Sequence, residues 1–141
     1  MPKLPIYFFN EGISYKIKEI NKLRAWINQT IENEKHQLIE LNFIFCSDVY
    51  LLKINQQYLN HDTYTDIITF DNGDISGEIY GDIFISIDRV KENAKSFKTT
   101  LNNELHRVII HGTLHLLGYK DKSKAEKDLM TQKEDFYLNR R

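Results

Sequence analysis

The chain has 141 residues, 41% of them apolar and 28% charged, with a formal net charge of -1. That length and balance suit one globular domain with its own core. They exclude a disordered tail, a collagen-like chain and a disulfide scaffold, and the absence of an unbroken apolar run of ~18 residues excludes a hydrophobic membrane span.

In chain order, residues 6–9 follow Pro5 and read as a short apolar strand. Ser14 is placed to cap a helix running to about Asn33, with Ile17, Ile20, Leu23, Ile27 and Ile31 at helical spacing and Trp26 on or beside that face. Residues 38–46, rich in Leu, Ile and Phe, read as a strand. Ser47 or Asp48 then caps a helix to about Tyr58, with Val49, Leu52, Ile54 and Tyr58 along one side. Residues 60–64 are polar and turn-like, and 65–70 form a β-branched and aromatic strand. Asp71-Asn72-Gly73-Asp74 is a turn, followed by a second strand over 78–87. The two strands form either a hairpin or a parallel pair. Asp88 heads a helix through Lys98, and Thr99 or Thr100 caps the next, apolar from Leu105 to Leu117 and ended by Gly118. An amphipathic helix over about 122–138 closes the chain. The expected class is α+β: one domain over 1–141, with a mixed sheet of about four strands packed by about five helices.

Charge is unevenly placed. Residues 61–82 carry six acids and no Lys or Arg, whereas 86–100 and 120–141 each carry a basic excess of two. Such excesses first of all describe solvated faces. The first nine residues hold two prolines and no long apolar segment, so no signal peptide is expected. Cys46 is the sole cysteine and sits in an apolar run, which suits a reducing, cytoplasmic location.

The chemistry concentrates in His111-Gly112-Thr113-Leu114-His115-Leu116-Leu117-Gly118-Tyr119-Lys120-Asp121. Residues four apart on a helix share a face, so His111 and His115 can share one metal ion. Gly118 lets the chain leave the helix with positive φ, and Asp121 can then turn back as a third, oxygen ligand. Three protein ligands and a position open for water describe a catalytic, zincin-like site rather than a closed structural one. A pair of buried, hydrogen-bonded histidines is the plainer alternative. His106 lies about 140° around the helix from His111, and His36 and His61 stand alone in polar surroundings. Metzincin proteases share the His-x-x-x-His-x-x-Gly outline but place Glu after the first His as general base. Here Gly112 occupies that position, which argues against peptide hydrolysis.

The segment resembles the signature of the YbeY family of bacterial metal-dependent endoribonucleases, His-Gly-x-Leu-His-Leu-x-Gly-Tyr-Asp-His, through Tyr119. Three further stretches resemble the family: Ile54-Asn55-Gln56-Gln57-Tyr58, Thr65-Asp66-Ile67-Ile68-Thr69-Phe70 and Gly81-Asp82-Ile83-Phe84-Ile85-Ser86. The resemblance implies a single-strand-specific endoribonuclease in the maturation of small-subunit ribosomal RNA, with ribosomal RNA and the small ribosomal subunit and its proteins as partners. It implies one zinc ion per chain on His111, His115 and Asp121, which act through the ion and its water; Ni, Fe or Mn also suit that donor set. Thr65 and Asp66 become candidates beside the metal cleft. The chain departs from the pattern in two places. Asp121 replaces the family's third His, with Lys120 where the family has Asp, and Leu59 replaces an Arg suited to phosphate. Either another cation takes over that task, with Arg89, Lys120 and Lys122 as candidates by charge, or phosphate binding is weaker here. A zincin-type hydrolase of another substrate and a non-catalytic ribosome-assembly factor with a structural metal remain as rival functions.

Overall fold

A computed structural model of the chain describes residues 4–59 and 65–141. Alternation of inward and outward side chains sets its sheet. In β1 (Ile6–Asn10), Ile6 and Phe8 point into the core while Tyr7 and Phe9 face out. In β2 (Gln37–Cys46), Leu41, Phe43 and Phe45 are buried; in β4 (Glu78–Ser86), Ile79, Ile83 and Ile85 are. These residues fall on one face by the two-residue period of a strand. β3 (Ile67–Asp71) completes the sheet in the order β1-β2-β4-β3. β1 and β4 run parallel to β2, and β3 pairs antiparallel with β4, so the hairpin arrangement holds. Phe43 stands opposite Ile83, and Ile67 opposite Ile85.

Four helices cover the inward face: α1 (Ile20–Asn33), α3 (Ile87–Ser96), α4 (Leu101–Leu116) and α5 (Lys124–Leu138). The other face carries α2 (Asp48–Leu59), whose Leu51 and Ile54 pack on Ile68 and Cys46. Among the described residues this is the expected α+β class, with a mixed four-stranded sheet and five helices.

Several boundaries differ from expectation. α1 begins at Ile20, six residues after Ser14, because Glu19 takes a left-handed conformation (φ 52°) that a right-handed helix cannot pass through. Ile17, the first of the helically spaced positions, still packs on the core together with Ile13 and Tyr15, but from irregular chain. On α2, Val49 and Tyr58 are 58% and 64% exposed, and the buried face is Leu51, Ile54 and Asn55. Thr65 and Asp66 precede β3 rather than lie in it. Ser86, not Asp88, caps α3, since its hydroxyl accepts from the Arg89 amide; Asp88 instead accepts from the Asp48 amide at 3.0 Å. Thr100 caps α4, and Ser123 caps α5 with a reciprocal Glu126 bond. The turn expected over 60–64 lies outside the described residues.

α4 is the central helix, packed against β3 and β4 and flanked by α3 and α5. Gly112 sits where α4 crosses the sheet. A Cβ there would lie 2.7 Å from Ile67 Cδ1 and 3.1 Å from Ile83 Cγ2, so the helix comes as close as it does because that side chain is missing.

Candidate metal centre

α4 ends in a Schellman turn. The Tyr119 amide donates to the Leu114 carbonyl and the Gly118 amide to the His115 carbonyl, each at 3.0 Å. The turn requires a left-handed residue, and Gly118 supplies it at φ 106°. The reversal carries Asp121 back over the helix end. His111 Nε2 and His115 Nε2 then stand 3.0 Å apart, and Asp121 Oδ2 lies 3.3 and 3.2 Å from them. Among the described residues, these three form the one group of side chains arranged to hold a metal ion.

The other ring nitrogens decide what the three atoms can do. His111 Nδ1 lies 2.6 Å from Glu134 Oε2, and His115 Nδ1 lies 3.0 Å from the Tyr119 carbonyl. Both partners only accept hydrogen bonds, so in the neutral imidazoles each Nδ1 carries the hydrogen and each Nε2 presents a bare lone pair. Two such lone pairs and a carboxylate oxygen therefore converge with nothing to donate to them. Atoms bound at about 2.0–2.1 Å to a tetrahedral ion stand about 3.3 Å apart, close to the separations here. The donor set fits a divalent cation.

The surroundings favour positive charge at this point. Burial alone would lower the His111 pKa, but the Glu134 hydrogen bond and the charges of Glu134, Asp121 and Asp66 outweigh it and raise it. Glu134 is 7% exposed and comes from α5. Arg107 Nη1 donates to its Oε1 at 2.8 Å, while Nη2 donates to Asp135 at 2.7 Å.

A cleft of about 370 Å³ opens beside the three ligand atoms. Thr65 and Asp66 line it, with Asn55 and Leu59 of α2 and Ile67, Ile68 and Thr69 of β3. Burial raises the Asp66 carboxyl above the usual range, against the opposing pull of His111 and of its own backbone bonds. Leu59, 43% exposed, forms part of the wall. The candidate cations Arg89, Lys120 and Lys122 are not among the described residues that line the cleft, and Arg89 pairs with Asp48 at 2.9 Å. Gly112 faces Ile67 and Ile83 of the sheet. His106 lies elsewhere, 5.7 Å from the Trp26 ring and 2.8 Å from Arg141 Nη1, and His36 bonds the Glu34 carbonyl. His61 lies outside the described residues.

Sequence reasoning missed Glu134 and Arg107. One signal was present: Met130, Glu134 and Tyr137 share the buried stripe of α5, and a carboxylate on such a stripe needs a partner.

Known proteins resemble the chain throughout. The family model described as Endoribonuclease YbeY matches residues 9–141. A curated relative from Cytophaga hutchinsonii, named Endoribonuclease YbeY, is 52% identical over 141 residues, covering 100% of this chain and 99% of its own. Another of that name from Flavobacterium psychrophilum is 54% identical over 127 residues, 90% of each chain. The solution structure of a Thermotoga maritima protein superimposes with a TM-score of 0.66 at 29% identity, covering 95% of this chain and 87% of that one.

Proposed function

The chain belongs to the YbeY endoribonuclease family, and from that premise we propose that it is a metal-dependent, single-strand-specific endoribonuclease. Its work is the maturation of the 3′ end of small-subunit ribosomal RNA and ribosome quality control. The observation that carries this reading is the convergence of His111 Nε2, His115 Nε2 and Asp121 Oδ2 within 3.3 Å beside an open cleft. His111, His115 and Asp121 hold one zinc ion per chain. Held there, a divalent ion supplies Lewis acidity toward a phosphodiester oxygen and makes water a better nucleophile near neutral pH.

The chain's own groups bind and orient. Glu134 and the Tyr119 carbonyl keep the two imidazoles in the Nδ1–H form. The Thr65 hydroxyl and the Asp66 carboxyl form the substrate-side wall of the cleft. Gly112 supplies no proton acceptor, so the family reading departs here from a zincin protease. A near-neutral net charge of -1 gives little of the phosphate attraction that RNA binding draws on. The small ribosomal subunit and its proteins therefore supply much of the RNA context, and the working location is the cytoplasm.

A second reading rests on Leu59. Without the family's Arg, and without Lys or Arg among the described lining residues, the cleft suits an assembly factor whose metal is structural. Cleavage of a labelled single strand against the matching duplex, by native protein and His115→Ala, separates the two. Metal-dependent cutting of the single strand, lost in a folded variant, supports the nuclease. No cutting, with a variant that loses stability along with its metal, supports the assembly factor.

A further inference from the structure

The metal centre draws on a helix outside its own motif. We infer that Glu134 of α5 is the positioning residue that sets the orientation, tautomer and metal affinity of His111, and that Arg107 holds it in that role. The inference rests on the metal reading above and extends it to residues beyond the three ligands.

The geometry leaves each atom of Glu134 committed. Oε2 takes the His111 Nδ1 hydrogen at 2.6 Å, and Oε1 takes an Arg107 hydrogen at 2.8 Å. Arg107 lies one helical turn before His111 on α4, and its second arm reaches Asp135 at 2.7 Å. The guanidinium thus bridges two neighbouring carboxylates of α5 and prevents Glu134 from turning toward the Nε2 side. Glu134 is buried, so its interaction with the imidazole is little weakened by water.

The physical effect follows from the imidazole itself. Only the Nδ1–H tautomer exposes the Nε2 lone pair, and an anionic acceptor on that hydrogen makes Nε2 a stronger donor toward a cation. His115 obtains the first effect from a neutral carbonyl and lacks the second. The two ligands are therefore unequal, and His111 is the stronger. Loss of such an outer carboxylate weakens metal binding by about 10–100-fold.

A purely mechanical link between α4 and α5 is the competing account, and Asp135 separates the two. Asp135 shares Arg107 with Glu134, whereas the His111 Nδ1 hydrogen goes to Glu134. The test measures zinc affinity by competition with a chromogenic chelator, on the full-length native protein and on Glu134→Ala, Glu134→Gln and Asp135→Asn. Thermal unfolding of the metal-free proteins runs in parallel, with ¹⁵N shifts of the His111 ring. The expected result is affinity about 10–100-fold weaker for Glu134→Ala, a smaller loss for Glu134→Gln, and little change for Asp135→Asn even where that variant melts earlier. The His111 ring should leave the Nδ1–H form in the Glu134 variants and keep it in Asp135→Asn. Should Glu134→Ala fail to fold, Glu134→Gln decides, since it removes the charge and leaves one accepting oxygen where Arg107 and His111 now use two. Native-like affinity in the folded Glu134 variants, or an equal loss in Asp135→Asn, overturns the inference. A native protein that binds no zinc overturns the metal reading and this inference with it.

Discussion

The Tyr119 carbonyl accepts the Nδ1 hydrogen of His115 at 3.0 Å, so the turn that ends α4 also aims His115 Nε2 at His111 and Asp121. The same residue is anchored at its far end, where its hydroxyl donates to Glu34 Oε1 at 2.5 Å. Helix termination, the orientation of His115 and the return of Asp121 are one local structure built around Gly118.

Replacing Gly118 by Ala tests that coupling. At φ 106° a Cβ strains the turn, which should cost about 1–2 kcal/mol of stability. Because Tyr119 and Asp121 depend on the turn, zinc affinity should fall as well. A variant that loses stability in urea yet binds zinc like the native protein would show that turn and site are independent.

Gly112 gives a second, opposite test. Gly112→Glu restores the residue order of a zincin protease, but places its side chain against Ile67 and Ile83. It should gain no peptidase activity and should lose about 3 kcal/mol or more, the scale for a charge forced into an apolar contact. Gly112→Ala should cost less, since its nearest neighbour is the movable Cδ1 end of Ile67. Denaturant midpoints order the three proteins, and a native-like midpoint for the Glu variant would contradict the packing described here.

Asp121 brings a negative charge where the family usually carries a neutral His. That charge would make a cation held there a weaker Lewis acid, so Asp121→His should move the activity profile to lower pH. A pH–rate comparison of the two proteins settles the direction. A native profile already lying below that of the variant would contradict it.

His106 predicts a pH effect on folding away from the site. Burial, then the nearby Arg141 charge, push its pKa down to about 4 from 6.5. Between those values the unfolded chain binds the extra proton, so the stability that the neutral ring supplies is complete above pH 6.5 and is lost as pH falls toward 4. His106→Gln should flatten the slope of melting temperature against pH in that window. Equal slopes for the two proteins would remove His106 as its source.

Much of this was legible in the residues, for physical reasons. A strand buries every second side chain, so Leu41, Phe43 and Phe45 announced β2, and a helix brings residues four apart together, so the meeting of His111 and His115 was legible too. Gly118 and Asp121 followed from the chemistry of helix ends. What was hidden depends on distant packing. Glu134 is 23 residues from His111, and their contact exists only because α5 docks on α4. The start of α1 falls later than Ser14 suggests because Ile17 covers the core without being helical and Glu19 is left-handed. The burial of Leu51 rather than Val49 was set by which face of α2 meets Ile68.

The most direct test of the account is the metal content of the native protein and of His115→Ala, measured by elemental analysis after purification without chelators and with zinc added back. The account predicts about one ion per native chain and its loss in the variant, with the fold intact. No metal in either protein would contradict it, and would leave His111 and His115 as packed core residues.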